Sequence, residues 1–305
     1  MGIKNFYKFI NKYAPSAVAL TNVTKYKNST VGIDFNLMIY KLIFSIRKNG
    51  YDIKNGQKIV THIHALLLKL IKFKEYKIIP IFVFDGKAPE IKLGVLDKRK
   101  KSWQKMYEKY KNAKTEEEKK KYFYTKTDIT SQELEDCKNL IKIFNYMVID
   151  APQEADSQLA QLSKNGVIKY IVSDDTDILL FGGGILLKKF SVAENKEIQE
   201  INLDTLKKNL GFSQKDLIKL GVLLGSDYCD NSPVSITKAF KIIKNIEESN
   251  IENECNHAIT YFKKPVVENI NFINSTNSVD INKLSFFLRN FYFSDDYINR
   301  LISKI

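Results

Sequence analysis

Cysteine is scarce and unpatterned: Cys137, Cys229 and Cys255 are the three in 305 residues. An odd, scattered set argues against a disulfide framework and for a reducing, intracellular compartment. Cys255 and His257 stand close together, but no second pair of zinc-type ligands accompanies them, so no zinc site is expected there. No run of about 18 apolar residues occurs, which leaves no helical membrane span to expect. The opening residues MGIKNFYKFINKYAP turn polar at once and hold no apolar signal core. Phe6 stands where N-myristoylation requires Ser or Thr. Internal repeats and long Pro/Gly/Ser linkers are also missing. Arginine is the last scarcity: of 48 basic residues only Arg47, Arg99, Arg289 and Arg300 are arginines.

What is present is positive charge and clustered acid. Against 35 acidic residues the basic ones leave +13 and a pI near 9.3, a balance that favours an anionic partner, nucleic acid before membrane. Residues 98–126 carry twelve basic and four acidic side chains, the larger share of that excess. Within this segment Trp103, Tyr107 and Tyr110 recur at helical spacing with Lys105 between them. Rings that stack on bases and lysines that follow phosphates suit a channel for single-stranded nucleic acid. A solvated hairpin whose aromatics pack on the body is the alternative, and composition alone leaves both open.

Along the chain, STVGIDFNLMIYKLIFSIRKNG reads as a short strand ending at Asp34 and then a helix through Arg47. IIPIFVFDG reads as a central strand ending at Asp85 and Gly86, preceded by the helical spacing of THIHALLLKLIKFKEYK. The alternation continues through YMVIDAP, EADSQLAQLSKNG and YIVSDDTDILLFGGG. This pattern predicts an α/β fold with a parallel central sheet, followed from about residue 215 by helices to the end.

In such a sheet, side chains just past the carboxyl ends of strands converge on one crevice. Asp34, Asp85, Asp175 and Asp177 fall at those ends. Glu154 and Asp156 open a helix after a fourth strand, and Asp227 follows another apolar run. Singly, Glu154 and Asp156 could be helix N-terminal acids favoured by the dipole, Asp85-Gly86 could be a turn, and Asp174 reads as a solvated neighbour. Seven acids aimed at one place cannot all stay ionised without cations. Oxygen donors with no nearby His or Cys select Mg²⁺ or Mn²⁺. Two such ions over a basic surface predict a phosphodiester hydrolase.

The motifs MGIKNF, IDFNLMIY, FVFDGKAPEIKLGVLDKR, APQEADSQLAQL, SDDTDILLFG and LGVLLGSDYC, with the closing LSFFLRNFYFSDDYINRLISKI, resemble the flap endonuclease branch of the structure-specific 5′ nucleases, which includes the xeroderma pigmentosum group G nuclease. The likeness runs over nearly the whole chain. It implies a PIN-like α/β nuclease core with a parallel sheet, a helical arch and a helical C-terminal part. It also implies two Mg²⁺ ions, replaceable by Mn²⁺, and cleavage of branched or flapped DNA with a 5′ single strand, as 5′ flap endonuclease and 5′ exonuclease, in replication, repair or recombination. Asp34, Asp85, Glu154 and Asp156 are then assigned to one side of the metal cluster and Asp175, Asp177 and Asp227 to the other. The family has Glu where Asp156 stands, so the shorter side chain would reach one ion through water. Lys92 and Arg99 match basic residues over the scissile phosphate. Tyr40 matches a ring stacked beside the cut, Gly2 a small residue near the site, and Arg47 a phosphate contact outside it. Trp103 and Lys105 in the arch and Lys238 near the C-terminal hairpin are further expected DNA contacts.

The resemblance divides the chain into a nuclease region at 1–99, an arch at 100–131, a second nuclease region at 132–225 and a helix-hairpin-helix-like DNA-binding region at 226–305. Two departures stand out. DNSPVSITKAF has Pro233 and no glycine where the family has a glycine-bearing hairpin, which weakens the expected grip on duplex DNA and on K⁺ at 231–239. The chain ends at Ile305 without a sliding-clamp-binding peptide, so clamp recruitment is not expected. A monomer acting in the nucleus, or at a viral replication site, completes the expectation. Two rivals come from other classes. A branched-DNA-binding protein could have kept the fold and lost turnover. A DxD phosphatase could use the DTD of the SDDTD stretch, although Asp177 lies mid-chain and is followed by Ile-Leu-Leu rather than Thr or Val.

Overall fold

The structure is a computed structural model describing residues 3, 5–123, 129–229, 232–247, 251–271 and 278–305. Its strands are β1 (Val18–Thr21), β2 (Thr30–Asp34), β3 (Lys54–Asn55), β4 (Lys58–Ile59), β5 (Ile79–Phe84), β6 (Met147–Asp150), β7 (Tyr170–Val172), β8 (Ile185–Lys188) and β9 (Ile198–Asn202). Seven of them form one sheet in the order β1-β9-β8-β7-β2-β5-β6, while β3 and β4 pair as a small hairpin. The run from β8 to β6 is parallel, as the alternation predicts. The edge is not: β9 is antiparallel to β8 and β1 antiparallel to β9. A parallel return needs a crossover of about a dozen residues or more, and the 189–197 connection is too short to supply one.

The central strand β5 shows how the sequence makes two cores. Ile81 and Val83 point to one face, into the core that also holds Leu159, Leu162, Leu220 and Phe262. Phe82 and Phe84 point to the other, against Phe35 and into the core that also holds Leu66, Leu70 and Phe144. Strand side chains alternate faces, so a strand apolar at every position is covered on both sides. The helices Phe35–Arg47, Thr61–Glu75 and Ser131–Ile143 cover one face, and Ala155–Lys164, Gln214–Gly225 and Asn256–Lys263 the other.

The basic segment forms two helices, Leu93–Lys111 and Glu116–Tyr122. The first starts before the expected boundary at 100, with Lys92 as its N-cap residue. Tyr107 and Tyr110 stack with centroids 6.1 Å apart, and Phe123 meets Tyr110 edge-on at 5.9 Å, so these rings pack the hairpin against itself. Trp103, 45% exposed, and Lys105 face solvent.

One expectation is overturned by tertiary packing. Cys229 and Cys255 are joined in a disulfide, with Cα atoms 5.7 Å apart, and Cys137 is the buried free thiol. The two lie 26 residues apart in sequence and meet because the helix Asn256–Lys263, whose N-cap residue is Cys255, packs beside Gln214–Gly225. Spacing alone cannot report such a meeting.

Two glycines are required by close approach. Gly225, at φ +99°, closes its helix under Pro233, whose ring would lie 2.6 Å from an added Cβ. Gly86 donates its N–H to the Gln153 carbonyl at 2.6 Å, and an added Cβ would lie 2.0 Å from the Ala151 carbonyl oxygen. That neighbour is backbone and cannot swing aside, so Gly86 docks the turn after Asp85 against the turn before Glu154. Gly86→Ala is expected to destabilise the protein by about 1–3 kcal/mol, read as a lowered urea midpoint; an unchanged midpoint would contradict the close approach.

Candidate active site

Parallel pairing of β7, β2, β5 and β6 puts their carboxyl ends on one edge. Asp34, the last residue of β2, is also the N-cap of the helix Phe35–Arg47: Oδ1 accepts the Leu37 N–H at 3.0 Å. Its Oδ2 accepts the Ser173 hydroxyl at 3.1 Å. Asp85 follows β5 and accepts the Ala155 N–H at 2.8 Å, at the start of the helix Ala155–Lys164. Glu154 is that helix's N-cap residue and Asp156 lies in its first turn. Asp175 accepts the Asp177 N–H at 3.0 Å, and Asp177 in turn accepts the Ile3 N–H at 3.2 Å. Asp174 turns away, paired with Lys41 and accepting the Lys189 N–H at 2.6 Å.

The acids feel one another. Burial first, and then the charges of Asp175, Asp34, Glu154 and Asp177, push Asp156 well above the ordinary carboxylate range. Burial and then Asp175 do the same to Asp177. Asp34 is pushed up to about 7 by burial and by the Asp85 charge. Asp85 is open to solvent on one side, yet crowding by protein raises its pKa, with Glu154 adding to the effect. Asp227 adds its charge to Asp177.

Lys92 and Arg99 pair directly with two of these acids. Lys92 pairs with Glu154 Oε1, and Arg99 pairs with Asp227 Oδ2. Burial pulls Lys92 down, but the charges of Glu154, Asp156 and Asp177 outweigh it and hold the lysine above its usual pKa. Arg99 and Lys92 therefore reach the acids from the base of the basic hairpin.

The donor set fits a hard divalent cation. Every acid donor is a carboxylate, and Asp156 Oδ1 is buried with no hydrogen-bond partner. Among the described residues no three His, Cys, Asp or Glu side chains stand as a finished cage. Glu154 and Asp227 are each turned toward a cation, Lys92 and Arg99.

Other expected residues fall as follows. Tyr40 is 41% exposed on the helix Phe35–Arg47, and Lys238 is exposed in the helix Ile236–Ile243. Gly2 lies outside the described residues, as do Asp230 and Asn231 of the hairpin. Arg47 departs from expectation: it is buried, with Nε on Asp52 at 2.8 Å, rather than presented to a phosphate. A guanidinium out of water needs an anion, and Asp52 supplies one. The sequence reading missed Tyr228 and Tyr261, whose hydroxyls both donate to Glu154 Oε2, Tyr261 at 3.0 Å. Tyr228 stood inside a recognised motif, whereas nothing local marks Tyr261.

Raised acid pKa values give a signed pH dependence. An unfolded chain loses the Asp34 proton near 3.8, so between roughly pH 4 and 7 the folded form binds more protons and stability falls as pH rises. In EDTA the protein is expected to lose on the order of 2 kcal/mol between pH 5 and 8. Asp34→Asn, which keeps the helix cap, should flatten that slope and raise the urea midpoint at pH 8. Equal slopes in the two proteins would contradict the repulsion.

The N-terminal and internal parts of the chain match two family models, the XPG N-terminal domain over residues 1–106 and the XPG I-region over residues 145–227. Flap endonuclease 1 of Entamoeba dispar is 32% identical over 273 residues, covering 87% of this chain and 72% of that protein. The human flap endonuclease 1 is 32% identical over 237 residues, covering 76% of this chain and 62% of the human protein, so the chain spans under two thirds of that relative. In fold it is similar to the catalytic core of Rad2 in complex with DNA substrate, with TM-score 0.75, 20% identity and full coverage of both chains. It is also similar to the Holliday junction-resolving enzyme GEN1 in complex with product DNA, Mg²⁺ and Mn²⁺ ions, with TM-score 0.54, 18% identity and coverage of 100% of this chain and 68% of that one. Taken with the sheet, the acidic edge and the two facing cations, these matches place the chain in the XPG-type nuclease family to which flap endonuclease 1 belongs.

Proposed function

We propose that this chain is a divalent-metal-dependent, structure-specific 5′ nuclease. It hydrolyses phosphodiesters where single-stranded DNA meets duplex and releases a 5′ flap or 5′ nucleotides. What supports this reading is the electrostatic coupling among Asp34, Asp85, Glu154, Asp156, Asp175, Asp177 and Asp227, with Glu154 paired to Lys92 and Asp227 to Arg99.

Mg²⁺ fits the oxygen donors, with Mn²⁺ able to substitute. Asp34, Asp85, Glu154 and Asp156 would hold one side of the metal cluster, and Asp175, Asp177 and Asp227 the other. When bound, divalent ions supply Lewis acidity that lowers the cost of deprotonating water and of charging the leaving oxygen. A scissile phosphate would compete with Glu154 and Asp227 for Lys92 and Arg99, and so free those carboxylates to face the ions. Arg99 offers a planar fork matched to phosphate oxygens, and Lys92 a compact point charge.

Tyr40 offers an exposed ring for a base beside the cut. Trp103 and Lys105 offer a stacking face and a phosphate partner along the arch, through which a 5′ strand would pass. Lys238 and the 231–239 stretch would meet duplex DNA, with K⁺ there less favoured because Pro233 replaces the family's glycine-bearing turn. The same reading makes the protein a monomer that acts on nuclear DNA or at a site of viral replication.

Labelled flap, nicked and four-way DNA substrates test it. Cleavage near the junction is expected with Mg²⁺ and none in EDTA. Asp85→Ala and Asp177→Ala should bind DNA and leave it uncut, and persistent cutting by either would reject the assignment. Lys92→Ala and Arg99→Ala should slow single-turnover cleavage by about 100-fold or more with folding intact; unchanged rates would remove their role. A bulky group on the 5′ end should inhibit cutting if the strand threads the arch.

A further inference from the structure

Glu154 is held from both sides, and one of its partners comes from an unexpected part of the chain. Oε1 faces Lys92, while Oε2 accepts two phenol hydroxyls, from Tyr228 and from Tyr261 at 3.0 Å. Glu154 is 7% exposed, so water cannot readily take the place of a lost partner. Tyr228 directly follows Asp227 and so sits at the site by chain connectivity. Tyr261 lies on the helix Asn256–Lys263, beyond residue 227, where the XPG I-region match ends.

The Tyr261 ring has little freedom. It packs on Tyr228 at 5.0 Å between centroids and meets Phe181 edge-on at 5.7 Å, with Phe262 against both of those rings. Phe181 caps the turn of helix that Asp177 begins. The helix carrying Tyr261 is also tied at its start to the segment after Asp227 by the Cys229–Cys255 bond. The hydroxyl is therefore delivered to Glu154 by a packed, covalently tethered element.

We propose that Tyr261 is a positioning residue for the nuclease site: its hydroxyl, with that of Tyr228, fixes Glu154 so that Oε1 is the oxygen presented to Lys92 and to a divalent ion. This rests on the active-site reading above. Hydrogen-bond partners of metal-binding carboxylates typically contribute 10- to 100-fold in metal affinity or activity. With Tyr228 retained, the low end applies. The C-terminal helices thereby set the metal affinity of the site as well as covering the sheet.

Mn²⁺ titration of DNA-free protein, followed by the electron paramagnetic resonance signal of free Mn²⁺, reads this directly. Tyr261→Phe removes one hydroxyl and keeps the ring; its Mn²⁺ midpoint is expected to rise roughly tenfold. Its cleavage should be slow at low Mn²⁺ and recover toward wild type at saturating Mn²⁺, with flap-DNA affinity in EDTA unchanged. Leu206→Ala opens the same apolar core from the helix Leu203–Leu210, which carries none of these rings, and should leave the midpoint in place. A Tyr261→Phe midpoint within about twofold of wild type, or an equal shift in Leu206→Ala, would overturn the proposal. Wild-type protein that titrates like Asp177→Asn would overturn the active-site reading itself, and this inference with it.

Discussion

Carboxylates crowded at low exposure repel one another, and the rest of this structure is arranged around that repulsion. Asp34 and Asp177 are almost fully covered, at 7% and 3% exposed, and both are pushed toward protonation by burial and by neighbouring acids. A fold selected for stability alone would not gather them. Three of the acids also do local structural work: Asp34 caps a helix, Asp85 meets the start of another, and Asp175 closes a turn onto Asp177. The cost of repulsion is distributed over contacts that the fold needs anyway.

Cations complete the balance, and their origin links the site to the basic hairpin. Lys92 sits at the start of the helix Leu93–Lys111 and Arg99 lies within it. Any movement of that helix therefore changes the charge seen by Glu154 and Asp227. The electrostatics of the acids and the position of the hairpin are one coupled system. An anionic substrate entering between them would meet the positive charge of the hairpin, as an electrostatically steered ligand requires.

Much of this was legible from residue order because its determinants are local. Strand ends announced themselves through β-branched and aromatic runs that stop at an acid, and the parallel order of the strands then aligned those acids. The antiparallel edge was not legible, since it depends on the length of the 189–197 connection rather than on any pattern within a strand. Arg47 looked like a phosphate contact until Asp52, five residues on, drew it inside. The Cys229–Cys255 bond and the Tyr261 contact were hidden for a common reason. Both depend on how a C-terminal helix docks, and docking is decided by packing among residues far apart in the chain. Sequence reading was strongest where chemistry follows chain direction, and weakest where two remote segments meet.

Anomalous diffraction from crystals grown with Mn²⁺ tests the central claim most directly. Two peaks about 4 Å apart, lying among Asp34, Asp85, Glu154, Asp156, Asp175, Asp177 and Asp227, are the predicted result. Peaks elsewhere on the molecule, with these seven side chains unliganded at saturating Mn²⁺, would contradict it.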